Sequence, residues 1–195
     1  MAALRTTRRR VLAFGVGGAA ALLGGASLSW LTRGYFVTPG DIPIALSIKE
    51  LFVVRALVDA CHPGESDLPG GLSLGVHQRI DEEIWSQSEA MRSDLKASIQ
   101  LLEHAPPLFG FAGRFSALAP AQRQGTLERI AKDGPQVLVQ AITGLRQLAA
   151  IFYYGHEKTW SALGYDGPWQ KKPQPPSSSQ RYAQLLAQRR AQGAS

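Results

Sequence analysis

Apolar residues recur at steps of three to five along most of the chain, which is the spacing of helices that bury one face. The first such run begins at Pro43 and ends at Cys61. Its apolar positions are Leu46, Leu51, Val54, Leu57, Val58 and Cys61. Asp41 is the predicted N-cap of this helix, and the His-Pro-Gly turn that follows Cys61 is its predicted end.

The same spacing predicts four more helices, and no segment alternates apolar and polar residues at period two. These helices cover residues 74–86, 90–104, 120–134 and 136–154, and prolines or glycines interrupt the chain between most of them. The last is the longest and most apolar of them. We therefore predict an all-α protein that forms one irregular bundle of about five to six helices.

Length and charge limit the domain organisation and the kinds of partner that are possible for this chain. The 195 residues, 45% of them hydrophobic, suffice for one domain with a real core. The net charge of +6 is concentrated at the two ends: residues 1–31 carry +4, residues 170–195 carry +5, and residues 32–169 carry −3. Because a mildly acidic body has no basic face for a phosphate backbone, nucleic acid is excluded as a partner.

Residues 1–31 have the layout of a bacterial signal segment, a positive start followed by 21 uncharged, mostly apolar residues. Within this segment, one run resembles the twin-arginine export motif: Thr7, Arg8, Arg9, Arg10, Val11 and Leu12. This resemblance implies export of the folded chain to the periplasm by the twin-arginine translocase. A membrane anchor is the alternative, since 21 residues can span a bilayer of about 30 Å. No clean small-x-small site appears, so cleavage and retention of the segment both stay open.

The chain ends in a Pro/Ser-rich run at 171–179, a linker by composition, and a basic segment after it. The basic segment predicts a short helix with Tyr182, Leu185 and Leu186 on one side. So short a helix is ordered only if it docks on another element. The predicted organisation is a signal segment at 1–31, a helical domain at 41–169, and a linker with a basic tail at 170–195.

The residues that carry acid, base or metal chemistry are scattered. The histidines at 62, 77, 104 and 156 lie on four different predicted elements. The consecutive carboxylates Asp81, Glu82 and Glu83 point in different directions on a helix and are expected to form a solvated face. No phosphate-binding glycine loop or nucleophile motif occurs outside the leader. We therefore assign no catalytic, cofactor-binding or metal-binding residue, and an enzyme that uses His62 or His156 is disfavoured.

Cys61 is the only cysteine, so the chain has no internal disulfide and no thiolate metal site. A buried, inert thiol is its expected state, because free cysteine is among the most often buried residue types. In an oxidising compartment, Cys61 is also a candidate for a disulfide to a partner chain.

Six of the chain's sixteen Phe, Tyr and Trp residues fall within residues 152–169. The consecutive tyrosines lie about 100° apart on a helix and cannot both face one core. The glycine at 164 is a predicted helix C-cap. The segment is interpreted either as a lid on the bundle or as a partner-binding surface, because Tyr and Trp are enriched among interface anchors. The residues assigned to the surface are Tyr153, Tyr154, Trp160, Gly164, Tyr165, Pro168 and Trp169.

The order of these features resembles the gluconate 2-dehydrogenase subunit 3 family, the small subunits of bacterial membrane-bound, flavin-dependent sugar and polyol dehydrogenases. The resemblance covers most of residues 46–169. The matching features are the leader, a first helix that ends in a proline turn at 58–63, Leu74-Gly75-Val76 before Ile80-Asp81, the helix start from Phe115 to Arg123, and the pattern Tyr153-Tyr154, Trp160, Leu163-Gly164-Tyr165 and Gly167-Pro168.

This resemblance implies an all-helical, non-catalytic subunit that binds a large FAD-containing oxidoreductase subunit and acts as its folding and export escort. In that family the large subunit lacks a signal of its own, and a cytochrome c subunit takes the electrons. FAD and haem c are therefore expected in partner subunits, and no cofactor is expected in this chain. The implied location is the periplasm, in association with the inner membrane.

The alternative is a stand-alone, membrane-anchored periplasmic helical protein that docks lipid through its basic tail.

Overall fold

Seven α-helices follow one another in the described part of the chain, which in this computed structural model comprises residues 35, 41–65, 67–168 and 178–193. They are α1 (Ile48–Cys61), α2 (Val76–Ser86), α3 (Glu89–His104), α4 (Pro120–Asp133), α5 (Gln136–Tyr154), α6 (Glu157–Trp160) and α7 (Ser178–Gly193). Short 3-10 turns occur at Pro106–Phe109, Phe115–Ala117 and Ser161–Leu163. No strand occurs among these residues, so the predicted all-α class is confirmed. Helices α1 to α6 agree with the predicted five to six, and α7 is the predicted basic helix.

The predicted start of α1 is wrong. The helix begins at Ile48, because Ser47 and Glu50 form a capping box in which each side chain accepts a hydrogen bond from the other residue's backbone amide. Asp41 lies outside the helix and is not its N-cap. The apolar residues that precede Ser47 belong to a segment held by contacts with other helices.

Helix α5 packs against α1, α2, α3 and α4 and provides one stripe of the core. Its buried residues fall at steps of three and four: Leu138, Ile142, Leu145, Ala149 and Tyr153. Among the described residues, α5 is the one helix long and apolar enough to cross a membrane, a property that core helices of bundles share. Only 28% of its most apolar stretch of 18 residues is buried, so α5 is a core helix that also has a wide exposed face.

The carboxylate of Asp81 on α2 is fully buried and holds the segment before α1. It accepts hydrogen bonds from the backbone amides of Ile44, Ala45 and Leu46 at 2.6, 3.0 and 2.7 Å. Glu82 is buried as well. The expected solvated face is therefore wrong for these two carboxylates, because neighbouring segments cover this side of α2.

The basic C-terminal segment forms α7, which packs on α2. Tyr182 is buried and donates its hydroxyl hydrogen to the carbonyl oxygen of Ile42. The Arg189 guanidinium donates to the carbonyl oxygen of Pro43 at 2.8 Å, and Arg181 lies 3.6 Å from the carboxylate of Glu82. The helix is ordered because it docks, as its length required.

Asp41 joins a polar cluster between the N-terminal segment and α2. It is paired with the Arg55 guanidinium, and its Oδ1 lies 3.2 Å from Nε2 of His77. Burial lowers the pKa of His77 to about 4, and the positive charge of Arg55 acts in the same direction. His77 is therefore a neutral, buried histidine at pH 7.

A second buried carboxylate, Glu103 on α3, holds Tyr35 and the turn at Ser116. It accepts from the Tyr35 hydroxyl at 2.7 Å, and from the Ser116 hydroxyl and amide at 2.7 and 2.9 Å. Burial, together with this carboxylate, raises the pKa of Tyr35 to about 12.

Candidate partner-binding surface

Local hydrogen bonds fold the aromatic segment back against the end of α5. After α5 ends at Tyr154, His156 caps α6 by accepting from the Lys158 amide at 3.2 Å. Thr159 is fully buried, and its hydroxyl donates to the carbonyl oxygen of His156 at 2.7 Å. Gly164 then adopts the left-handed conformation with φ 66°, which confirms it as a C-cap.

Tyr153, one of the residues assigned to the surface, points into the body. Only 3% of it is exposed, and its ring stacks on the His62 ring with centroids 4.0 Å apart. Its hydroxyl donates to the carbonyl oxygen of Pro69 at 2.9 Å. Tyr153 therefore joins α5 to the end of α1 and the following loop, and supports the surface from beneath.

Tyr154 and Trp160 form the framework of the exposed surface. The Trp160 indole Nε1 donates to the carbonyl oxygen of Tyr154 at 3.1 Å. The Trp160 ring meets the Tyr165 ring edge to face, with centroids 5.3 Å apart. Gly167 has φ 94°, and a Cβ there would lie 3.1 Å from the indole, so a glycine lets the chain pass close to Trp160.

Large apolar side chains cluster at the surface in this part of the chain. Ile151 is 65% exposed, Tyr154 47%, and Leu163 and Tyr165 49% each. Together with Trp160, which is partly exposed, these side chains are called the aromatic platform below. Such a concentration of exposed apolar side chains is typical of a protein–protein contact surface.

The face of α5 opposite its buried stripe continues from the platform without charge. Its residues, one to three turns before Ile151, are Gln140, Thr143, Gly144 and Gln147, while the exposed Arg146 lies to one side of this strip. Nothing lies within 4 Å of the position that a Cβ on Gly144 would take. Because charged residues are depleted in the core of protein interfaces, this uncharged strip is a natural extension of the platform.

The assigned surface residues are therefore only partly brought together. Tyr154, Trp160 and Tyr165 are in one connected cluster, Gly164 and Pro168 are exposed beside it, and Tyr153 is buried. Trp169 and the export-motif residues Thr7, Arg8, Arg9, Val11 and Leu12 lie outside the described residues.

Sequence reasoning missed Ile151 and Leu163. For Ile151 a signal exists, because the buried stripe of α5 passes through Ala149 and Tyr153 and leaves residue 151 on the opposite side. Leu163 lies in a single 3-10 turn, where no periodic pattern shows which way the side chain points.

Cys61 is half-buried at the end of α1 and forms no disulfide. Burial raises the pKa of its thiol, an effect that the Arg146 guanidinium partly offsets. Such a thiol is mostly protonated at neutral pH and is a weak nucleophile. A disulfide to a partner chain stays a prediction.

The described histidines serve separate local contacts. His62 stacks on Tyr153, His77 contacts Asp41, His104 lies at the end of α3, and His156 caps α6. Within the described ranges, no group of three or more His, Cys, Asp or Glu side chains is placed to hold a metal ion.

The all-helical body and the exposed aromatic platform place this chain among helical proteins that carry an exposed contact surface. The chain belongs to the gluconate 2-dehydrogenase subunit 3 family, whose sequence model matches residues 49–167, more than half of its length. The match runs from the start of α1 through the platform and stops before α7. No curated protein and no solved structure matches the chain.

The family match makes this chain an accessory subunit of a dehydrogenase complex, in association with other subunits. The resemblance read from the sequence is thereby confirmed at the level of the family. The family also indicates a membrane-associated complex.

Proposed function

We propose that this chain is the non-catalytic small subunit of a periplasmic, inner-membrane-associated FAD-dependent dehydrogenase complex. In this proposal it acts as the folding and twin-arginine export escort of the large flavoprotein subunit. The observation that carries the proposal is the aromatic platform, which exposes large apolar side chains within the part of the chain that matches the family.

The platform suits a permanent contact because its rings are held in place before a partner arrives. Trp160 is fixed by its hydrogen bond to Tyr154 and by its edge-to-face contact with Tyr165. Rigid aromatic side chains lose little conformational entropy on binding, so more of their buried area contributes to affinity. The uncharged strip on α5 extends the contact without the desolvation cost of charged groups.

The large FAD-binding subunit is the proposed occupant of this surface, and a cytochrome c subunit with haem c is the proposed electron acceptor. In this arrangement FAD and haem c belong to those partners. The twin-arginine leader of this chain then serves both proteins, since that pathway carries folded cargo. Docking on the platform links export of the large subunit to its assembly.

Replacement of both Tyr154 and Trp160 by Ala tests the platform. We expect the affinity for the purified large subunit to fall about tenfold or more, as for an interface anchor, while the helical circular dichroism of the isolated chain changes little. Leu108→Ala is the matched control, because Leu108 is a strongly exposed apolar residue on the turn Pro106–Phe109 and lies outside the platform.

Two results contradict the docking role of the platform. One is unchanged affinity in the double variant; the other is equal loss of affinity and of helical content, which returns the segment to a lid on the bundle. Tyr154→Arg adds a charge at an exposed position and creates no cavity. It is therefore a second test of whether the affinity stays unchanged when the platform is altered.

Replacement of Arg8 and Arg9 by Lys tests the export role. We expect the large subunit to accumulate in the cytoplasm of cells that carry this variant. Export of active enzyme at the normal level contradicts the escort role and leaves the docking role intact.

The stand-alone alternative requires a basic tail that is free to bind lipid. Two of its arginines are engaged within the body: Arg181 lies beside the Glu82 carboxylate, and Arg189 donates to backbone carbonyl oxygens. These contacts favour the complex subunit over the lipid-bound protein.

A further inference from the structure

Residues 42–46, called the exit segment below, lead from the N-terminal part of the chain into the body. The segment has no helical or sheet hydrogen bonds of its own. Its backbone is instead held by side chains from two helices that lie 35 to 146 positions later in the chain.

The two helices bind different backbone groups of the exit segment, its amides in one case and its carbonyl oxygens in the other. Asp81 on α2 accepts from the amides of residues 44, 45 and 46, and α7 donates to the carbonyl oxygens of residues 42, 43 and 44 through Tyr182 and Arg189. Ile44 and Leu46 are buried between these contacts. The exit segment is therefore complete only when both α2 and α7 are present.

The contacts of Asp81 depend on α7 as well. A fully buried carboxylate is unfavourable unless hydrogen bonds and an opposite charge compensate it. The Arg189 guanidinium acts electrostatically on Asp81, and the buried Tyr182 also lies within its electrostatic range. Loss of α7 admits water to the carboxylate, and water competes with the three backbone amides.

We propose that α7 is a C-terminal latch that fixes the exit segment to the body. Residues 42–46 are then held only after α7 has been synthesised and has docked on α2. The latch lies outside residues 49–167, the part that matches the family. It is a device of this chain in addition to the family body.

The latch has a consequence for export that rests on the proposed function. A leader joined to a fixed exit segment marks a chain that is folded as far as α7, and an unlatched segment marks a chain in which α7 has not docked. The latch itself does not depend on this use.

Hydrogen exchange of the purified full chain, read by mass spectrometry, tests the latch. In the double variant Tyr182→Phe, Arg189→Ala, we expect exchange of the amides at 44–46 to rise at least about fivefold, since each lost hydrogen bond contributes to their protection. Arg181→Ala is the control, because it removes a positive charge from α7 whose partner is the Glu82 side chain, and we expect less than a twofold change.

The coupling between α7 and the exit segment must also act in the reverse direction, because linkage between two sites is reciprocal. We therefore expect Asp81→Asn to raise the exchange of the α7 amides while the amides of α5 stay protected. Unchanged exchange at 44–46 in the double variant overturns the latch. An equal rise in the amide exchange of α5 in the double variant also overturns the latch, since α7 is then a general stabiliser of the fold.

The same variants separate the latch from the export role. If the double variant leaves exchange unchanged while Arg8→Lys, Arg9→Lys still blocks export, the latch fails and the proposed function stands. If exchange rises and the arginine variant exports normally, the latch stands and the export role fails.

Discussion

The Trp160 indole donates a hydrogen bond to the carbonyl oxygen of Tyr154 across 3.1 Å, and this bond ties the single turn of α6 to the last turn of α5. It satisfies a carbonyl oxygen that the end of a helix leaves without an intrahelical donor. The bond also fixes the indole against the backbone at the end of α5. The order of the platform therefore depends on the way in which α5 ends.

Gly167→Ala is expected to disturb the platform. The residue has φ 94°, and a Cβ would lie 3.1 Å from the Trp160 ring, so we expect a loss of about 1 kcal/mol or more and a change in the near-UV circular dichroism of tryptophan. Gly144→Ala is the matched control: its Cβ meets nothing, and alanine favours a helix interior, so stability should rise by about 0.5–1 kcal/mol. A Gly167→Ala protein with unaltered spectrum and stability contradicts the packing described for Trp160.

The two consecutive tyrosines should separate stability from binding. Tyr153→Ala removes a buried ring and is expected to lower the free energy of unfolding by about 3–5 kcal/mol, as for other large core aromatics. Tyr154→Ala should cost the isolated chain less than about 1 kcal/mol, because its ring is half exposed. Urea unfolding of the isolated chain measures both. Similar losses for the two variants would show that Tyr154 is also part of the core.

Stability should fall in mild acid because of His77. The pKa of this histidine is about 6.5 in the unfolded chain and about 4 in the folded one, so the unfolded chain binds the proton first. The contribution is complete above about pH 6.5 and is lost as the pH falls toward 4. Between pH 7 and pH 5 we expect a loss of about 2 kcal/mol from this group.

His77→Gln should reduce that pH dependence by the same amount. Burial also lowers the pKa values of His62 and His156, but both residues are present in the two proteins, so the difference between them reports on His77. Urea unfolding at the two pH values is the measurement. Equal pH dependence in wild type and variant rules out His77 as the source.

Much of the fold was predictable from periodicity, since α2 to α5 begin and end within two residues of the predicted bounds. The different burial of Tyr153 and Tyr154 also follows from helical geometry, which sets consecutive residues about 100° apart. These features depend on residues close together in the chain.

The predictions that were wrong concern contacts between residues that are far apart in the sequence. The burial of Asp81 depends on the exit segment and on α7, which lie about 36 residues before and 100 residues after it. A helical pattern places the carboxylate on a face of α2 but does not show what covers that face. In the same way, Asp41 has the sequence of a helix cap, and its actual partners, Arg55 and His77, are known only from the fold.

Glu103→Gln should destabilise the bundle. The buried carboxylate accepts from the Tyr35 hydroxyl and from both the hydroxyl and the amide of Ser116. A glutamine has one accepting oxygen, so at least one buried donor loses its partner, and we expect a cost of about 1–3 kcal/mol. Glu128→Gln makes the same chemical change at an exposed position of α4 and should stay within about 0.5 kcal/mol of wild type. A similar small effect at Glu103 would mean that these hydrogen bonds contribute little.

Isolation of the affinity-tagged chain from the periplasmic and inner-membrane fraction decides whether it is the small subunit of a flavoprotein complex. We predict that it copurifies in a fixed ratio with one large chain that carries a flavin absorption spectrum and sugar or polyol dehydrogenase activity. Recovery of the tagged chain alone, with the flavoprotein exported and active without it, would contradict that assignment.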